Sequence, residues 1–529
     1  MVEAIRLRNL RSFPNEPDID YIELKPITVL VGKNSSGKSS FIRTLPLLRQ
    51  SVEAKTTGPI LWYGSYVDFG AYSEVIKNDC NEDVIYFDFK MNINPMSIRR
   101  RNMGHIYSNY NVIVPSDLSI PVVLELGVSH LKNETIAKKV QIKIENHEFE
   151  IDFDGRDKCN LKIKNDSSLS FDKLNFSSNN NFIPRLGTVD KFERLVNGTN
   201  MKLMRFDESY TSKVVLEFYT TDLKKYFHKN TQLETILKGI NRIGVCKRSE
   251  VERRLLFIFS DNKTFIDNLR KNTLKNVICD LFYKVAIYNS LNEIISSINL
   301  ELDSAFRNVR YIAPLRATAE RYYRHQDLQV DEIDHTGSNL AMLLKSFSDS
   351  EKKIFSSWTL EHFGFAVRAE ELGLHYELMI RVEDDTKEYN INDMGFGFSQ
   401  ILPIVASIWV EVFRKKGAKD AATCMLFAIE QPELHLHPEY QSRLAILFAK
   451  VIQQANLNKL KVKIIFETHS KTMIDALGDC VEDNIISNED INVVLFSKDK
   501  LNDSRTHFSY FDEEGFLTSW PVGFFTGRK

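Results

Sequence analysis

Eight residues, Gly32 to Ser39, have the spacing of a phosphate-binding loop. They fit the pattern G-x-x-x-x-G-K-[ST], with a strand-like run (ITVLV) before them and a helix-like run (FIRTLPLLRQSV) after them, a context that disfavours a chance glycine–serine turn. The glycines let the backbone amides point inward at a phosphate, and the helix start adds a favourable dipole. Lys38 can reach the β- and γ-phosphates and Ser39 can ligate Mg²⁺, so ATP and Mg²⁺ are the predicted cofactors.

A candidate acid follows the apolar run Cys424–Ile429. An apolar run that ends in a carboxylate is typical of a buried parallel strand, and it predicts Glu430 as the acid on the metal side of a nucleotide. On its own the pattern fits an ordinary strand end equally well, and the phosphate loop tips the balance towards function. His435 and His437 have H-x-H spacing, but no nearby Cys or third His completes a metal site, so a turn that contacts a partner subunit is favoured.

Two further segments carry polar residues at the ends of predicted elements. The run Lys463–Glu467 predicts another buried strand, and His469 just beyond it could hydrogen-bond a γ-phosphate or an attacking water. Gly395, Gly397 and Ser399 precede an apolar helix and would expose amides and a hydroxyl to an anion. A satisfied histidine and a glycine-rich helix entry are the plain alternatives, and each would be preferred if its motif stood alone.

The elements that must position these residues lie towards the two ends of the chain. Residues 4–10 and 21–31 have strand patterns, and β character returns after 305 in VRYIAPL, LHYELMIRV, CMLFAIE, KVKIIFETH and INVVLFS, with helical stretches between several of them. The predicted fold class is therefore α/β: a nucleotide-binding core with a P-loop that is split in the sequence, with an additional β lobe and a mainly helical insertion.

Four segments follow from these patterns. We predict an N-terminal ATPase lobe (1–90), a β-rich segment (91–174), a helical, basic insertion (175–304) and a C-terminal ATPase lobe (305–529). Alternating runs at 84–93, 121–127 and 140–153 predict strands of a second sheet, and the polar run 175–181 (NFSSNNN) predicts a linker.

Composition excludes several classes of protein. The 529 residues are 43% hydrophobic and 26% charged, which excludes a mostly disordered chain. The net charge of −2 argues against nucleic-acid binding over the whole surface. Six widely spaced cysteines without a CxxC pair, no apolar run of membrane-spanning length and no apolar signal core at the N-terminus lead us to expect a cytoplasmic protein.

The insertion is locally basic. Residues 220–275 hold 13 Lys and Arg against 6 Asp and Glu. Pairs of cations and nearby aromatic residues could together bind nucleic-acid phosphates and bases: Lys224, Lys225, Lys247, Arg248, Arg253, Arg254, Tyr226, Phe227, Phe257 and Phe259. A solvated helical face with core aromatics is the slightly favoured alternative.

In combination, these motifs resemble the ABC-type ATPases of the RecF/SMC/OLD group. The opening LRNLRSF resembles the L-x-N-F-[KR]-S-F start of that group, residues 429–438 its Walker B and D-loop (E-x-P-E-x-H-L-H-P), residues 468–470 its His switch and residues 392–400 its signature segment. The resemblance implies a head whose nucleotide sites form between two protomers. It also implies the nucleotide-binding residues, which are Asn9, Arg11, Gly32, Asn34, Ser35, Ser36, Gly37, Lys38, Ser39 and Ser40, with Gly395, Gly397 and Ser399 acting on the opposite protomer's γ-phosphate.

One residue departs from that group. Most ABC-type ATPases have a glutamate after the Walker B acid, and this chain has Gln431, which can position water but cannot accept its proton. Glu433 or His469 would have to compensate, so Gln431, Glu433 and His469 are the candidate catalytic residues and Ser39 and Glu430 the candidate metal ligands. We expect an ATPase with slow turnover.

A narrower resemblance concerns partners. Residues 311–317 (YIAPLRA) and 520–525 (WPVGFF) look like the PtuA-type ATPases of Septu defence systems, including those attached to retrons. That resemblance implies self-association, an HNH nuclease subunit, and in retrons a reverse transcriptase with its DNA or RNA product. About 60 residues follow His469, and we expect no nuclease domain among them, so cleavage would come from a partner. The alternatives are a DNA-repair or recombination ATPase that clamps DNA itself and a nucleotide-gated scaffold with little hydrolysis.

Overall fold

A computed structural model describes most of the chain as two compact units. The described residues are 1–16, 19–95, 119–132, 134–164, 166, 169–178, 181–196, 199–324, 330–383, 385–414 and 424–520. Unit 1 comprises Met1–Val2, Lys55–Ile60 and Glu82–Asp303, and unit 2 comprises Glu3–Ala54, Leu61–Asn81 and Ser304–Lys529. Most of the motif at 520–525 lies outside the described residues.

The strands and helices are numbered here in chain order. The strands are β1 (Val2–Arg8), β2 (Ile22–Glu23), β3 (Ile27–Gly32), β4 (Ile85–Ile93), β5 (Ile120–Leu131), β6 (Glu134–Ile144), β7 (His147–Asp154), β8 (Lys158–Ile163), β9 (Ser170–Ser177), β10 (Arg185–Val196), β11 (Thr199–Asp207), β12 (Val309–Ile312), β13 (Tyr323–Arg324), β14 (Phe365–Leu372), β15 (His375–Val382), β16 (Tyr389–Asn390), β17 (Cys424–Glu430), β18 (Lys461–Glu467), β19 (Ile491–Lys498) and β20 (Ser504–Ser509). The α-helices are α1 (Lys38–Glu53), α2 (Tyr72–Val75), α3 (Tyr210–Lys224), α4 (Leu233–Ile243), α5 (Val251–Ile258), α6 (Lys263–Arg270), α7 (Asn272–Asn289), α8 (Leu291–Arg307), α9 (Leu340–Lys345), α10 (Asp349–Phe363), α11 (Gly397–Trp409), α12 (Pro438–Leu457) and α13 (Lys471–Glu482).

A six-stranded sheet forms the centre of unit 2. Its order is β12-β17-β18-β3-β19-β20, and all pairs are parallel except β19 with β20. Strand β3 from the N-terminal part therefore lies between two C-terminal strands, which confirms the predicted α/β fold with an ATPase core split in sequence. The middle residues of β3 and β18 are fully buried, as expected for parallel strands that are covered on both faces.

Helices and a small antiparallel sheet complete the core of unit 2. The buried side chains of α11, α12 and α13 pack with those of the central strands in one hydrophobic cluster. Strand β15 pairs antiparallel with β13, β14 and β16. The apolar run predicted as a helix after the glycines at 395–397 is α11, and all of its residues from Ser399 to Trp409 are buried.

Unit 1 contains an antiparallel meander in which each strand from β4 to β11 pairs with the next. The single strand predicted at 140–153 is wrong: a hairpin turn divides it into β6 and β7, with Glu145 at a φ of 48°. The polar linker predicted at 175–181 is also wrong in its first part, because β9 continues to Ser177. Phe176 there packs edge-on against Phe153, and strand pairing satisfies the backbone of the polar residues.

Helices α3 to α8 follow the meander. Phe227, Phe259, Phe265 and Phe282 pack together, with ring centroids 4.5–6.2 Å apart, and all four are buried. Phe227 and Phe259, considered above as stacking residues for bases, are therefore core residues of this helical region. Within the described part of the chain, no helix is both long enough and apolar enough to cross a membrane.

Candidate nucleotide-binding site

The phosphate loop joins the end of β3 to the first turn of α1. Gly32 has a φ of 152° and Gly37 a φ of 111°, conformations that favour glycine. A Cβ atom on Gly32 would lie 2.4 Å from the carbonyl oxygen of Phe496, and one on Gly37 would lie 2.5 Å from Ser504 Oγ. Backbone conformation and space therefore both require glycine at these two positions.

The loop forms one wall of a cavity of about 420 Å³, a volume in the range of small-molecule sites. The cavity is lined by Arg11, Ser12, Asn34, Ser35, Ser36, Gly37, Lys38, Ser39, Ser40, Gln431, Glu467 and Lys498. Three cations, Arg11, Lys38 and Lys498, face it together with one carboxylate, Glu467. This balance suits a polyanionic ligand such as a triphosphate.

Lys38 is held inside the loop. Its side chain is 3% exposed, and its Nζ donates to the carbonyl oxygens of Gly32 and Lys33, each at 2.9 Å. Burial lowers the pKa of Lys38, and the nearby Glu467 opposes that shift. The ammonium group is thus buried and held in place by the backbone of the loop that would wrap a phosphate.

Ser39 donates a 2.8 Å hydrogen bond to Glu467 Oε2, and Glu467 Oε1 lies 3.6 Å from Lys38 Nζ. Glu467 is 2% exposed, and burial raises the pKa of its carboxyl group. It is the last residue of β18. Glu467 was not among the residues predicted from sequence, yet its carboxylate contacts both phosphate-loop side chains.

Glu430 lies at the end of the neighbouring strand, paired in register with Glu467. Its carboxylate accepts two hydrogen bonds from Arg43, at 2.8 and 3.0 Å, and one from the Tyr311 hydroxyl at 2.6 Å. The bond to Glu430 raises the pKa of Arg43, while burial raises that of Tyr311. Glu430 does not line the cavity, so its role as a metal ligand stays a prediction that the contacts of Glu467 challenge.

Gln431 lines the cavity and has a left-handed backbone, with a φ of 44°. Its N–H donates to the carbonyl oxygen of Glu467 at 2.9 Å, and its carbonyl oxygen accepts a bond from Arg316 Nη2 at 3.3 Å. Asn9 and Arg11 also have φ values near 50°. Left-handed residues other than glycine are costly, and they gather in functional sites because the surrounding structure holds them there.

Glu433 and His469 are in direct contact. The His469 N–H donates a 2.7 Å hydrogen bond to Glu433 Oε1, and Glu433 Oε2 is buried without a hydrogen-bond partner among the described residues. Burial raises the pKa of Glu433 and lowers that of His469. Neither residue lines the cavity. Arg316, which was not predicted, is 5% exposed and donates to the carbonyl oxygen of Glu430 at 2.9 Å, so it supports the turn that carries Gln431.

Arg11 lines the cavity, and its contact with nucleotide phosphates stays a prediction. Its guanidinium lies 4.4 Å from the Phe69 ring centroid and donates to Ser40 Oγ at 3.4 Å. Burial lowers the pKa of Arg11, and the charge of Arg43 adds to that shift. Asn9 is buried beside it, outside the cavity lining, and its carbonyl oxygen accepts the Lys77 N–H at 2.9 Å.

The glycine-rich segment before α11 does not reach the cavity of its own chain. Gly395 is exposed with no heavy atom within 4 Å of a built Cβ, and Ser399 Oγ donates to the Phe396 carbonyl oxygen at 2.7 Å. Gly395, Gly397 and Ser399 are all absent from the cavity lining. His437 caps the start of α12 through its Nδ1, and exposed His435 packs edge-on against Phe396.

Magnesium is the metal that the phosphate loop implies, and the residues present fit it. Ser39 Oγ and the Glu467 carboxylate are hard oxygen donors at the cavity wall, the ligand type that Mg²⁺ prefers. In the part of the chain that the structure describes, no three His, Cys, Asp or Glu side chains cluster as a metal site. Mg²⁺ bound together with a nucleotide takes one or two protein oxygens and completes its shell with phosphates and waters.

The basic residues of unit 1 are partly neutralised by local acids. Arg248 pairs with Asp280 at 2.5 Å, Arg254 with Glu250 at 2.9 Å and Lys275 with Glu252 at 2.8 Å. Among the described residues, Lys224, Lys247 and Arg253 are exposed and have no acidic partner. Phe257 is 58% exposed near Arg253 in the sequence of α5. A smaller basic surface than the sequence suggested is thus left.

Two cavity residues that the sequence did not identify, Glu467 and Lys498, share one recognisable signal with Glu430, which it did identify. Glu467 ends β18, Lys498 ends β19 and Glu430 ends β17, three parallel strands whose carboxyl ends meet at the same edge of the sheet. A polar residue that closes a buried parallel strand is a candidate for a site at that edge. The same criterion that selected Glu430 would have selected Glu467.

Known proteins are similar to this chain at several levels. "Endonuclease GajA" from Bacillus cereus (strain HuB5-5) is 25% identical over 275 residues, which are 45% of this chain and 38% of that protein, so the chain spans less than half of that relative's length. Among solved structures, the Smc head domain with an extended coiled coil from Pyrococcus furiosus has a TM-score of 0.34 at 11% identity over 96% of each chain. The SMC head domain from Thermotoga maritima has a TM-score of 0.34 at 9% identity, covering 96% of this chain and 98% of that one.

A family model described as "AAA ATPase domain" (AAA_15) matches residues 1–474. The match includes the phosphate loop, the strands that end in Glu430 and Glu467, and the segment at 395–399. Together with the cavity that these elements build, it shows that the chain belongs to the AAA ATPase domain family.

Proposed function

We propose that this protein binds ATP with Mg²⁺, hydrolyses it slowly, and acts as the regulator or sensor of a bacterial anti-phage defence complex that controls a nuclease on another chain. One observation carries the proposal: the Lys38 ammonium, the Ser39 hydroxyl and the Glu467 carboxylate meet at the wall of a cavity with three cations. The triphosphate would displace the two carbonyl contacts of Lys38 and occupy the loop amides.

Slow turnover is supported by Gln431. Gln431 lines the cavity, and an amide beside the γ-phosphate would orient an attacking water without taking its proton. Glu433 is oriented towards the His469 backbone instead. The chain therefore favours a long-lived ATP-bound state, which suits a switch better than a motor.

Self-association and separate partners complete the proposal. Gly395, Gly397 and Ser399 lie outside the cavity of their own chain, so they are available to complete the site of a second copy head to head. The resemblance to Septu and retron ATPases supports an HNH nuclease subunit as partner, with a reverse transcriptase and its nucleic acid in retrons. The relative named endonuclease GajA supports a link to nucleic-acid cleavage.

ATP binding is tested with a fluorescent ATP analogue and two lysine variants. Lys38→Ala should lower affinity at least about tenfold, since it removes a buried cation from the phosphates. Lys33→Ala is the matched control, because its side chain is exposed on the same loop and is not among the cavity-lining residues. Equal affinity of the Lys38→Ala variant and the wild type would refute the proposal.

Turnover is tested by phosphate release. Gln431→Glu should accelerate hydrolysis by at least about tenfold, because it supplies the missing proton acceptor. A fast wild type that the substitution does not accelerate would rule out slow turnover.

For the partner, we expect a co-expressed HNH nuclease to co-purify with the wild type and to show ATP-dependent cleavage. A nuclease whose cleavage does not depend on this chain would exclude the regulatory role.

The exposed cations of unit 1 favour one second candidate, an ATPase that clamps DNA itself. Lys224, Lys247 and Arg253 have no acidic partner among the described residues and remain available for phosphates. Salt-dependent DNA binding by the isolated protein that is lost in Lys247→Glu/Arg253→Glu would support this candidate. No binding at low salt would exclude it.

A further inference from the structure

We propose that Glu467, rather than Glu430, is the carboxylate that faces the Mg²⁺ of the bound nucleotide. The inference rests on the proposed function, because it names the metal-side acid of the same ATP site. It reassigns that acid from the end of β17 to the end of the neighbouring strand, β18.

The position of Glu467 is the first argument. Glu467 is a residue of the cavity lining, and its carboxylate accepts the Ser39 hydroxyl at 2.8 Å and lies 3.6 Å from the Lys38 ammonium. A Mg²⁺ ion on Ser39 Oγ would therefore be within reach of this carboxylate, directly or through one water of its shell. Among the residues that line the cavity, Glu467 is the one carboxylate.

The engagement of Glu430 is the second argument. Both of its carboxylate oxygens are bound by Arg43, and one of them also accepts the Tyr311 hydroxyl. Glu430 is 2% exposed and does not line the cavity. A role at the metal would require breaking a bidentate ion pair and leaving its buried carboxylate without the arginine.

The partners of the two glutamates respond differently to a nucleotide. Glu467 is held by Lys38 and Ser39, the side chains that the phosphates and their cation engage, whereas Glu430 is held by Arg43 and Tyr311, which do not line the cavity. A carboxylate buried at 2% exposure that loses its neighbours needs a new counter-charge, and a divalent cation at Ser39 provides it. Glu430 keeps its own counter-charge throughout.

The register of the sheet places the two glutamates side by side, so either could in principle serve as the metal-side acid. Glu430 and Glu467 are direct partners across the parallel strands β17 and β18, so their Cα atoms lie at the same height at the edge of the sheet. Arg43, on the first turns of α1, binds the Glu430 carboxylate, whereas the Glu467 carboxylate contacts the phosphate loop. Glu467 therefore remains available to the metal, although Glu430 is paired with Arg43 of α1.

The test measures the affinity of the full-length protein for a fluorescent ATP analogue with Mg²⁺ and with EDTA, and Mn²⁺ binding by electron paramagnetic resonance in the presence of a non-hydrolysable ATP analogue. The variants are Glu467→Gln, Glu430→Gln and, as a surface control, Glu482→Gln, which is exposed on α13. Melting temperature is recorded for each.

Glu467→Gln should lower the Mg²⁺-dependent gain in affinity and the affinity for Mn²⁺ at least about tenfold, the scale of losing an oriented metal partner. Its metal-free affinity should stay equal or rise, because a negative charge has left the cavity. Glu430→Gln should keep the wild-type gain at a lower melting temperature. Glu482→Gln should match the wild type throughout.

The proposal is overturned if Glu467→Gln keeps the wild-type gain and Mn²⁺ affinity, or if a folded Glu430→Gln loses them. Should Glu467→Gln fail to fold, the Glu430→Gln result decides alone: retained metal dependence supports the proposal and lost dependence refutes it. A wild type that binds no ATP under either condition refutes the proposed function itself, an outcome distinct from ATP binding whose metal dependence is carried by Glu430.

Discussion

Two glutamates with the same position on adjacent strands have different surroundings. Glu430 is neutralised by Arg43, whose side chain is 36% exposed, while Glu467 contacts the phosphate loop. The contribution of the Arg43–Glu430 pair to stability can be measured separately from nucleotide chemistry, because neither residue lines the cavity. Removal of the arginine leaves a carboxylate that is 2% exposed without its counter-charge.

We therefore expect Arg43→Met to destabilise the protein by about 3–5 kcal/mol, and Glu430→Gln to cost less. The asymmetry arises because the guanidinium left behind in Glu430→Gln is still one-third exposed and can reach water, while the carboxylate left behind in Arg43→Met cannot. Urea unfolding of both variants measures the difference. Equal losses would mean that the burial of Glu430 is not what makes the pair costly to break.

At the scale of elements, the sequence predicted the strands of the core well because parallel strands buried on both faces are continuous apolar runs. The runs that end in Glu430 and Glu467 are strands in the structure, and the phosphate loop lies between β3 and α1 as predicted. The hairpin at Glu145 and the strand at 170–177 were missed, because a polar turn within an alternating run and an asparagine-rich edge leave little periodic signal.

The site was predicted less completely than the fold, for a physical reason. Local patterns identify which residues end a strand, but they do not show which neighbouring residue will bind each side chain. Arg43 and Tyr311 lie more than 110 residues from Glu430 in the chain, and their hydrogen bonds to Glu430 depend on tertiary packing. The sequence therefore favoured Glu430 and could not foresee that Glu467 would contact Ser39.

The two glycine segments should differ sharply in their tolerance of a methyl group. Gly32→Ala should disrupt the phosphate loop and lower the melting temperature, because its Cβ would lie 2.4 Å from a backbone oxygen. Gly395→Ala should leave the melting temperature unchanged, since nothing lies within 4 Å of the added atom. Differential scanning fluorimetry compares the two, and a destabilised Gly395→Ala would show that the segment is packed rather than open.

At the scale of the whole molecule, none of the six cysteines forms a disulfide, and their burial predicts their reactivity. Burial raises the pKa of Cys159 to about 12 and that of Cys246 and Cys480 to about 11, so their thiols stay protonated at pH 8. Cys279 is also buried with a raised pKa, while Cys80 and Cys424 are partly exposed.

Iodoacetamide at pH 8 should accordingly modify Cys80 and Cys424 first in the native protein, and the other four only after denaturation. Peptide mass spectrometry of both samples measures the order. The sign is fixed by the thiolate, which is the reacting species and is depleted wherever the pKa is raised. Rapid native labelling of Cys159 or Cys246 would contradict the burial found in unit 1.

The last prediction concerns two copies of the chain. If the cavity of one protomer is completed by the glycine segment of another, then Lys38→Ala and Gly395→Asp should each be inactive alone, the first for lack of a phosphate cation and the second because a carboxylate faces the γ-phosphate. Gly395 has open space around it, so the aspartate should not disturb the fold.

Mixing the two inactive proteins under conditions of subunit exchange should restore phosphate release to about a quarter of the wild-type rate. Half of the dimers then combine one variant with the other, and each of these has one site with both defects and one with none. Phosphate release measured across a titration of one variant against the other gives the dependence. Mixtures with no more activity than either variant would mean that each protomer completes its own site. The segment that carries Gly395 would then have to move to the cavity of its own chain.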